Sequence, residues 1–279
     1  MTVGVAVFEY HEEIAAALDR AAALGVSQCE LTVPGNITVE TAGSVGELLT
    51  ERGLTVNSVA SLSKINAVDT DEAAAAMVAL LDASVRCAST LGAPNAIVYF
   101  GGHPTRPIDE AVERYVRLIR PSVAIAESLG VTILIENHFS HAPGEVTNTA
   151  QGCVDLVTAV GSDNFAVNFD LCNFAIGGQQ FPASYETLKP HIRNVHIKDA
   201  RKFDPVSDAD YTGRIVTDLV HGEFMFVPVG EGITPNAELL DLLVRDGLDV
   251  PVTIEAHVPD GQLDDAFRLG LRLCASKGV

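Results

Sequence analysis

VTILIEN, residues 131–137, is an apolar, β-rich run that closes on a carboxylate, Glu136, and an amide, Asn137. Three later segments follow the same grammar: FAVNFD ends on Asp170, NVHIK carries His196, and VPVTIE ends on Glu255. Each puts one side chain capable of holding a metal at or near the C-terminal end of a short strand-like run. In a closed barrel of parallel strands all such ends lie on one rim, so four residues far apart in the chain can meet at a point. The spacing therefore predicts an α/β fold, a (β/α)8 TIM barrel, with a divalent metal held on that rim.

The rest of the chain supports this reading when taken in both directions from that run. Residues 3–7 (VGVAV) predict a first strand, followed by an amphipathic helix over about 11–24 that stops at Gly25. SQCELTV, with Glu30 near its end, leads to a helix over 39–52, and LTVNSVA to an Ala-rich helix over 71–91 with Asp69, Thr70 and Asp71 as capping candidates. NAIVYF ends in a GGHP turn at 101–104, and a long helix over 108–129 precedes VTILIEN. Asn148 and Thr149 can cap a helix to about 160, FAVNFD is strand six, and a short helix over 183–188 precedes the His196 strand. Residues 200–232 read as a long irregular segment and a candidate lid. A helix over 235–245, VPVTIE as strand eight and a helix over 263–276 complete the chain. Strands alternating with helices through short turns argue a parallel sheet with helical crossovers. A doubly wound open sheet is disfavoured because no G-x-G-x-x-G turn follows the first strand. At 279 residues, with no linker or composition break, the chain reads as one domain spanning 1–279.

Composition narrows the function classes. Hydrophobic residues make up 47% and charged residues 20%, as in a soluble globular protein. No uninterrupted apolar run approaches the roughly 18 residues of a membrane span, and the start lacks signal-peptide features, so a cytoplasmic location is expected. The five cysteines form no C-x-x-C pair and read as reduced core thiols. A formal net charge of −19 makes nucleic acid and anionic membranes poor partners. One local exception is Lys189, Arg193, Lys198, Arg201 and Lys202, five of the 18 Lys and Arg residues, around the His196 strand. They are either a helix end and solvated loop or cations facing a polar or anionic small substrate.

Strand alternation puts Thr132, Leu134 and Glu136 on one face of their strand, and does the same for Ala166, Asn168 and Asp170 and for Asn194, His196 and Lys198 on theirs. Polar groups pointing into a barrel must be paired or liganded. For any one of these residues the plain alternative is a strand-end side chain bonded to backbone. For four on successive strands, a divalent ion is the simplest common partner. Three hard oxygens and one nitrogen suit Mn²⁺ or Mg²⁺, with Co²⁺ or Zn²⁺ also accommodated.

The order Glu, Asp, His, Glu, set in IENH, NFDLCNF, VHIKDA and TIEAH, resembles the xylose isomerase-like TIM-barrel superfamily, especially its sugar phosphate isomerase/epimerase branch. PVGEG at 228–232 resembles that branch's turn before the last helix and strand. The resemblance implies that Glu136, Asp170, His196 and Glu255 bind a divalent metal, with Glu136 and Glu255 doubling as acid/base residues. Many members carry His three residues after the Asp, where this chain has Asn173. An amide can bond a substrate hydroxyl but cannot shuttle a proton.

Secondary candidates are His138, either a substrate contact or extra base or else a plain loop histidine, and Lys198, either an orienting group for a substrate oxygen or for Glu136 or else a structural ion pair. Arg201, at the start of the candidate lid, and the rim residues His103 and Glu231 are further substrate-binding candidates. His257 is a candidate support for Glu255. The expected chemistry is proton removal beside a carbonyl through a metal-stabilised enediolate, the step of a sugar isomerase or epimerase in carbohydrate metabolism. If the carbanion instead expels a β-leaving group, the enzyme is a dehydratase or lyase on a keto-inositol, a dehydroshikimate-like acid or a 3-keto glycoside. An endonuclease IV-like repair enzyme with three zinc ions is disfavoured, because strand three offers Ser58 and Ser61 where histidines are wanted. A non-catalytic sugar-binding subunit is the remaining alternative. The partner implied throughout is a small-molecule sugar or polyol, and barrels of this kind often form homo-oligomers through their outer helices.

Overall fold

The computed structural model describes residues 1–7 and 13–279. Eight strands close into a barrel: β1 (Val3–Ala6), β2 (Gln28–Val33), β3 (Thr55–Lys64), β4 (Asn95–Tyr99), β5 (Thr132–Glu136), β6 (Phe165–Asp170), β7 (Ile192–Ile197) and the strand Val252–Ile254. Between β7 and that last barrel strand come β8 (Asp199–Lys202), β9 (Ile215–Asp218) and β10 (Gly222–Val227), so the last barrel strand is β11. Every barrel pairing is parallel, in the ring order β1-β11-β7-β6-β5-β4-β3-β2. The expected TIM barrel is therefore the fold.

The helices are α1 (Ile14–Ala23), α2 (Ala42–Glu51), α3 (Asp71–Leu91), α4 (Ile108–Leu129), α5 (Ala150–Val160), α6 (Leu171–Ile176), α7 (Ala183–Leu188), α8 (Asn236–Asp246) and α9 (Leu263–Ser276). The first residues of the helix expected from 11 lie outside the described residues. Thr70 and Thr149 cap α3 and α5, each hydroxyl accepting a backbone N–H three residues on. By length and apolar composition α3 is able to cross a bilayer. A search for uninterrupted apolar runs misses this because Asp82 and Arg86 break the run. Here α3 is a barrel helix, burying Ala74, Leu81, Val85 and Ala88 and packing on β3 and β4.

Outward-facing strand residues such as Val59, Ile133, Val167 and Val195 pack with the inner faces of the helices into one large core. Inside the ring the filling is different. A small apolar plug of Ala60, Ile97, Leu134 and Ala166 sits among polar side chains. Asn57 donates to Thr253 at 2.7 Å and Asn194 to Asn168 at 2.8 Å. These bonds satisfy buried amides that would otherwise cost about 1–3 kcal/mol each.

The segment 200–232 corrects its expectation as irregular chain, since it carries most of a three-stranded antiparallel sheet in the order β8-β10-β9. Phe224 and Phe226 alternate along β10 and bury against Phe139, Cys172, Ile176 and Ala200. Asp218 closes the β9–β10 turn by accepting backbone N–H bonds from Val220 and His221, and it also accepts from Ser140 beyond β5. The signal is weak in sequence because the strands are short and β8 and β9 are separated by a polar loop.

PVGEG owes its glycines to one carboxylate. Asp199 accepts N–H bonds from Gly230, Gly232 and Thr234, so the loop wraps the protein's own anion rather than a phosphate. A Cβ on Gly232 would lie 2.2 Å from Asp199 Oδ1 and 2.3 Å from the Ala200 carbonyl oxygen. Gly232→Ala is expected to cost about 1–3 kcal/mol, the usual range for overpacking. Thermal unfolding should show a melting temperature lower by several degrees; an unchanged value would mean that the turn is not held this way.

Candidate metal centre and active site

Glu136 ends β5, Asp170 ends β6, His196 is the penultimate residue of β7, and Glu255 follows β11. Register aligns Glu136 with Asn168 and Asp170 with His196, so the C-terminal strand ends come level at the rim. All four side chains are buried, and one ligand atom from each lies within 4.8 Å of the others. His196 Nδ1 is 3.5 Å from Glu136 Oε2, 3.5 Å from Glu255 Oε2 and 4.0 Å from Asp170 Oδ2.

The imidazole is aimed from behind. Its Nε2 lies 3.0 Å from Glu30 Oε2, and that same oxygen accepts a 2.5 Å bond from the Ser58 hydroxyl. With Nε2–H donated to Glu30, the lone pair of neutral His196 sits on Nδ1, towards the carboxylates. A carboxylate behind a histidine is the usual support for a metal ligand.

Two further observations fit a cation. Asp170 Oδ2 and Glu255 Oε2 are buried and have no well-aligned hydrogen bond, their charge being met by an ammonium alone. Lys198 Nζ approaches them at 2.8 and 2.7 Å as an ion pair, and so supplies one positive charge to a site with three carboxylates. The donor set is three hard oxygens and a nitrogen, which suits Mn²⁺, Mg²⁺, Co²⁺ or Zn²⁺.

The two glutamates differ in environment. Burial pushes the Glu136 carboxyl up to about 8, against the charge of His196; its oxygens are held by the amides of Asn168 (2.9 Å) and Asn173 (3.0 Å). Burial acts on Glu255 in the same sense but is outweighed by Lys198 and His257, so its carboxyl is held well below the usual range. His257 Nε2 lies 2.9 Å from Glu255 Oε1, in keeping with the expected support. For His196, burial disfavours the charged form but the carboxylates of Glu30 and Glu136 prevail, and its pKa rises. Asn173 is thus tied to Glu136 and to the Asn137 carbonyl at 3.0 Å, while its backbone N–H caps Asp170 Oδ1. Its side-chain amide therefore holds the Glu136 carboxyl in place.

A cavity of about 260 Å³ opens onto this centre, lined by Glu136, His138, Asn173, Lys198 and Glu255 among the residues expected from sequence. His138 Nδ1 donates to the Phe139 carbonyl at 3.0 Å, leaving the lone pair on Nε2, and burial keeps the ring neutral. Arg201, His103 and Glu231 are not brought to the cavity. Arg201 grips Asp208 through both terminal nitrogens and holds that carboxyl down to about 2. His103 bonds Asp69 at 2.8 Å and accepts the Arg106 N–H, and Glu231 is exposed on the turn around Asp199. Sequence reading missed Glu30 as the support for His196, although strand alternation places it at the rim. It also missed Lys64, Tyr99 and Arg214 on the cavity wall, which no local pattern marks.

Fold and donor set together define a barrel of the kind that gathers a cation at its C-terminal rim. The chain belongs to the family described as xylose isomerase-like TIM barrel, whose model matches residues 12–276. Among curated proteins it is 26% identical over 138 residues to a 3-dehydroshikimate dehydratase of Bacillus anthracis, a match spanning 48% of this chain and 45% of that protein. Among solved structures, a xylose isomerase domain protein from Planctomyces limnophilus is similar with a TM-score of 0.78 and 19% identity, covering 99% of this chain and 98% of that one. A D-tagatose 3-epimerase-like protein gives 0.78 and 19% with full coverage of both chains. The 3-keto-D-glucoside 4-epimerase of E. coli gives 0.77 and 14%, covering 99% of each.

Replacing Glu30 by Gln should weaken Mn²⁺ binding about 10- to 100-fold, the usual effect of losing an outer carboxylate. Titration calorimetry on metal-free protein measures this, and equal affinity would show that Glu30 does not orient His196. The raised pKa values of Glu136 and His196 also set a direction with pH. Glu136 is increasingly protonated as pH falls below about 8, and the neighbouring carboxylates make His196 hold its proton more tightly than a free imidazole, so metal loading must release protons and affinity should drop towards acid. Apparent affinities at pH 6 and pH 8.5 check this; a pH-independent value would contradict it.

Proposed function

We propose that this protein is a divalent-metal-dependent isomerase or epimerase acting on a keto sugar or related polyol by proton abstraction next to a carbonyl. The observation that carries the reading is the pair Glu136 and Glu255, two buried carboxylates on one small cavity held by unlike partners, the neutral amides of Asn168 and Asn173 on Glu136 and the Lys198 ammonium and His257 ring on Glu255. Such divergence is how a site assigns acid and base roles. When bound by Glu136, Asp170, His196 and Glu255, a divalent ion, Mn²⁺ or one of Mg²⁺, Co²⁺ and Zn²⁺, supplies the electrophile that draws charge onto the substrate's carbonyl oxygen.

Glu255, kept ionised by Lys198 and His257, takes the proton from the carbon beside the carbonyl. Glu136, once protonated from solvent, gives one back. Their strands are three places apart in the ring, so the two carboxyls reach a bound ketose from different sides and the returned proton inverts the carbon. Asn173 and Asn168 fix Glu136. Tyr99, Phe139 and Phe226 on the cavity wall limit water at the reacting carbon. The volume suits a single sugar ring or open-chain hexose, below the roughly 300 Å³ of sites for drug-sized ligands. The five buried free cysteines accord with a reducing, cytoplasmic setting.

His138 favours a second reading, a dehydratase or lyase. Its Nε2 lone pair lies on the cavity wall as a base, protonated Glu136 can release a β-hydroxyl as water, and a 3-dehydroshikimate dehydratase is among the similar proteins.

The two readings separate in ²H₂O. Incubating Mn²⁺-loaded protein with D-fructose, D-tagatose and their C3 epimers should place deuterium at a retained carbon, and Glu136→Gln should slow this by about 10²–10⁴-fold, the usual contribution of a general acid or base. Loss of water from 3-dehydroshikimate without exchange into ketoses would favour the dehydratase, and an undiminished rate in Glu136→Gln would remove Glu136 from either reaction.

A further inference from the structure

Three cations line the cavity in a chain of net charge −19: Lys64, Lys198 and Arg214. Lys198 is spent on Asp170 and Glu255. Lys64 and Arg214 are not: among the described residues neither side chain has an ion pair or a hydrogen bond. Elsewhere Arg114, Arg201 and Arg245 are each clamped on a carboxylate. The backbone that carries each of the two is fixed, although the Arg214 side chain is exposed. Lys64 is the last residue of β3, at the rim, and is partly buried. The Arg214 backbone is held on both sides, its N–H donating to the His257 carbonyl at 3.2 Å and its carbonyl accepting the Phe226 N–H at 3.3 Å.

The two charges also act on each other. Burial and the charge of Arg214 both depress the proton affinity of Lys64, with Glu145 and Glu136 opposing them. Those carboxylates are committed elsewhere: Glu145 accepts from Gly102 and twice from Thr147, and Glu136 accepts from Asn168 and Asn173. Water screens their repulsion, since Arg214 is exposed and Lys64 only partly buried, but both charges face one cavity whose wall also carries Leu62, Phe139 and Val216, and an anion lying there is attracted to both.

We propose that Lys64 and Arg214 form an anion subsite, so that the substrate is an acidic ketose or keto acid whose carboxylate or phosphate monoester is held where the cavity meets the β9–β10 hairpin. This rests on the proposed function only in taking the cavity as the substrate site. An Arg fork and a Lys point charge are the usual pair for either oxyanion.

A matched set tests it: D-fructose, D-fructuronate and D-fructose 6-phosphate differ at one end in carrying a hydroxyl, a carboxylate or a phosphate. Dissociation constants are measured by titration calorimetry on Mn²⁺-loaded wild-type protein and on Lys64→Gln, Arg214→Gln and the surface control Arg86→Gln. At least one charged ketose should bind about tenfold or more tightly than D-fructose, the scale of one charge-assisted hydrogen bond. That advantage should collapse in Lys64→Gln and Arg214→Gln and persist in Arg86→Gln. Whichever charged ketose binds tighter identifies the oxyanion. Equal affinity of all three ketoses, or an advantage that survives both cavity variants or falls equally in Arg86→Gln, would overturn the proposal. Failure of the proposed chemistry would instead appear as absent deuterium exchange with the binding preference intact.

Discussion

Three carboxylates and an imidazole share the inside of a barrel rim, and the repulsion among the carboxylates is the constraint around which the surrounding residues are arranged. Asp170 is wholly buried, Glu136 and Glu255 nearly so, and an uncompensated charge in such a place is far too costly to keep. The chain responds in three ways. Lys198 is drawn between Asp170 and Glu255, Glu136 is left with a raised pKa and two amide donors, and Glu30 fixes the imidazole so that its lone pair faces inward. Lys198 brings one positive charge to a site with three carboxylates. A divalent ion is the partner this arrangement fits.

The covering of the rim follows from the same need. Electrostatic interactions strengthen where water is scarce, and the β8-β10-β9 sheet limits water by burying Phe224 and Phe226 against Phe139 and Ile176. Asp199 and Asp218 anchor that sheet through backbone N–H bonds at the PVGEG turn and the β9–β10 turn. Both are anions satisfied by the protein itself. That contrasts with Lys64 and Arg214, cations on the cavity wall with no ion pair or hydrogen bond from their side chains among the described residues.

The barrel and its four donor residues were legible in the sequence because both rest on local periodicities. Strand residues alternate faces, and parallel strands bring their C-terminal ends to one rim, so Glu136, Asp170, His196 and Glu255 could be placed together without any tertiary information. The short strands over 199–227 were not legible, since their pairing depends on aromatic residues packing on a surface that exists only once the barrel has closed. For the same reason the sequence marked Arg201 but not Arg214. Both follow strand seven, and only the folded sheet shows that Asp208 captures one while the backbone of His257 and Phe226 sets the other beside the cavity. Asn173 was read as a departure from the family pattern; its part in holding Glu136 emerges only from the distance between them.

The most direct measurement is an anomalous-scattering map of a crystal grown with Mn²⁺. A single strong peak bonded to Glu136, Asp170, His196 Nδ1 and Glu255, with Lys198 drawn back from the ion, is the expected result. A peak bound elsewhere, or density showing His196 Nδ1 turned away from the three carboxylates in protein saturated with metal, would contradict the shared site from which the acid and base roles were derived.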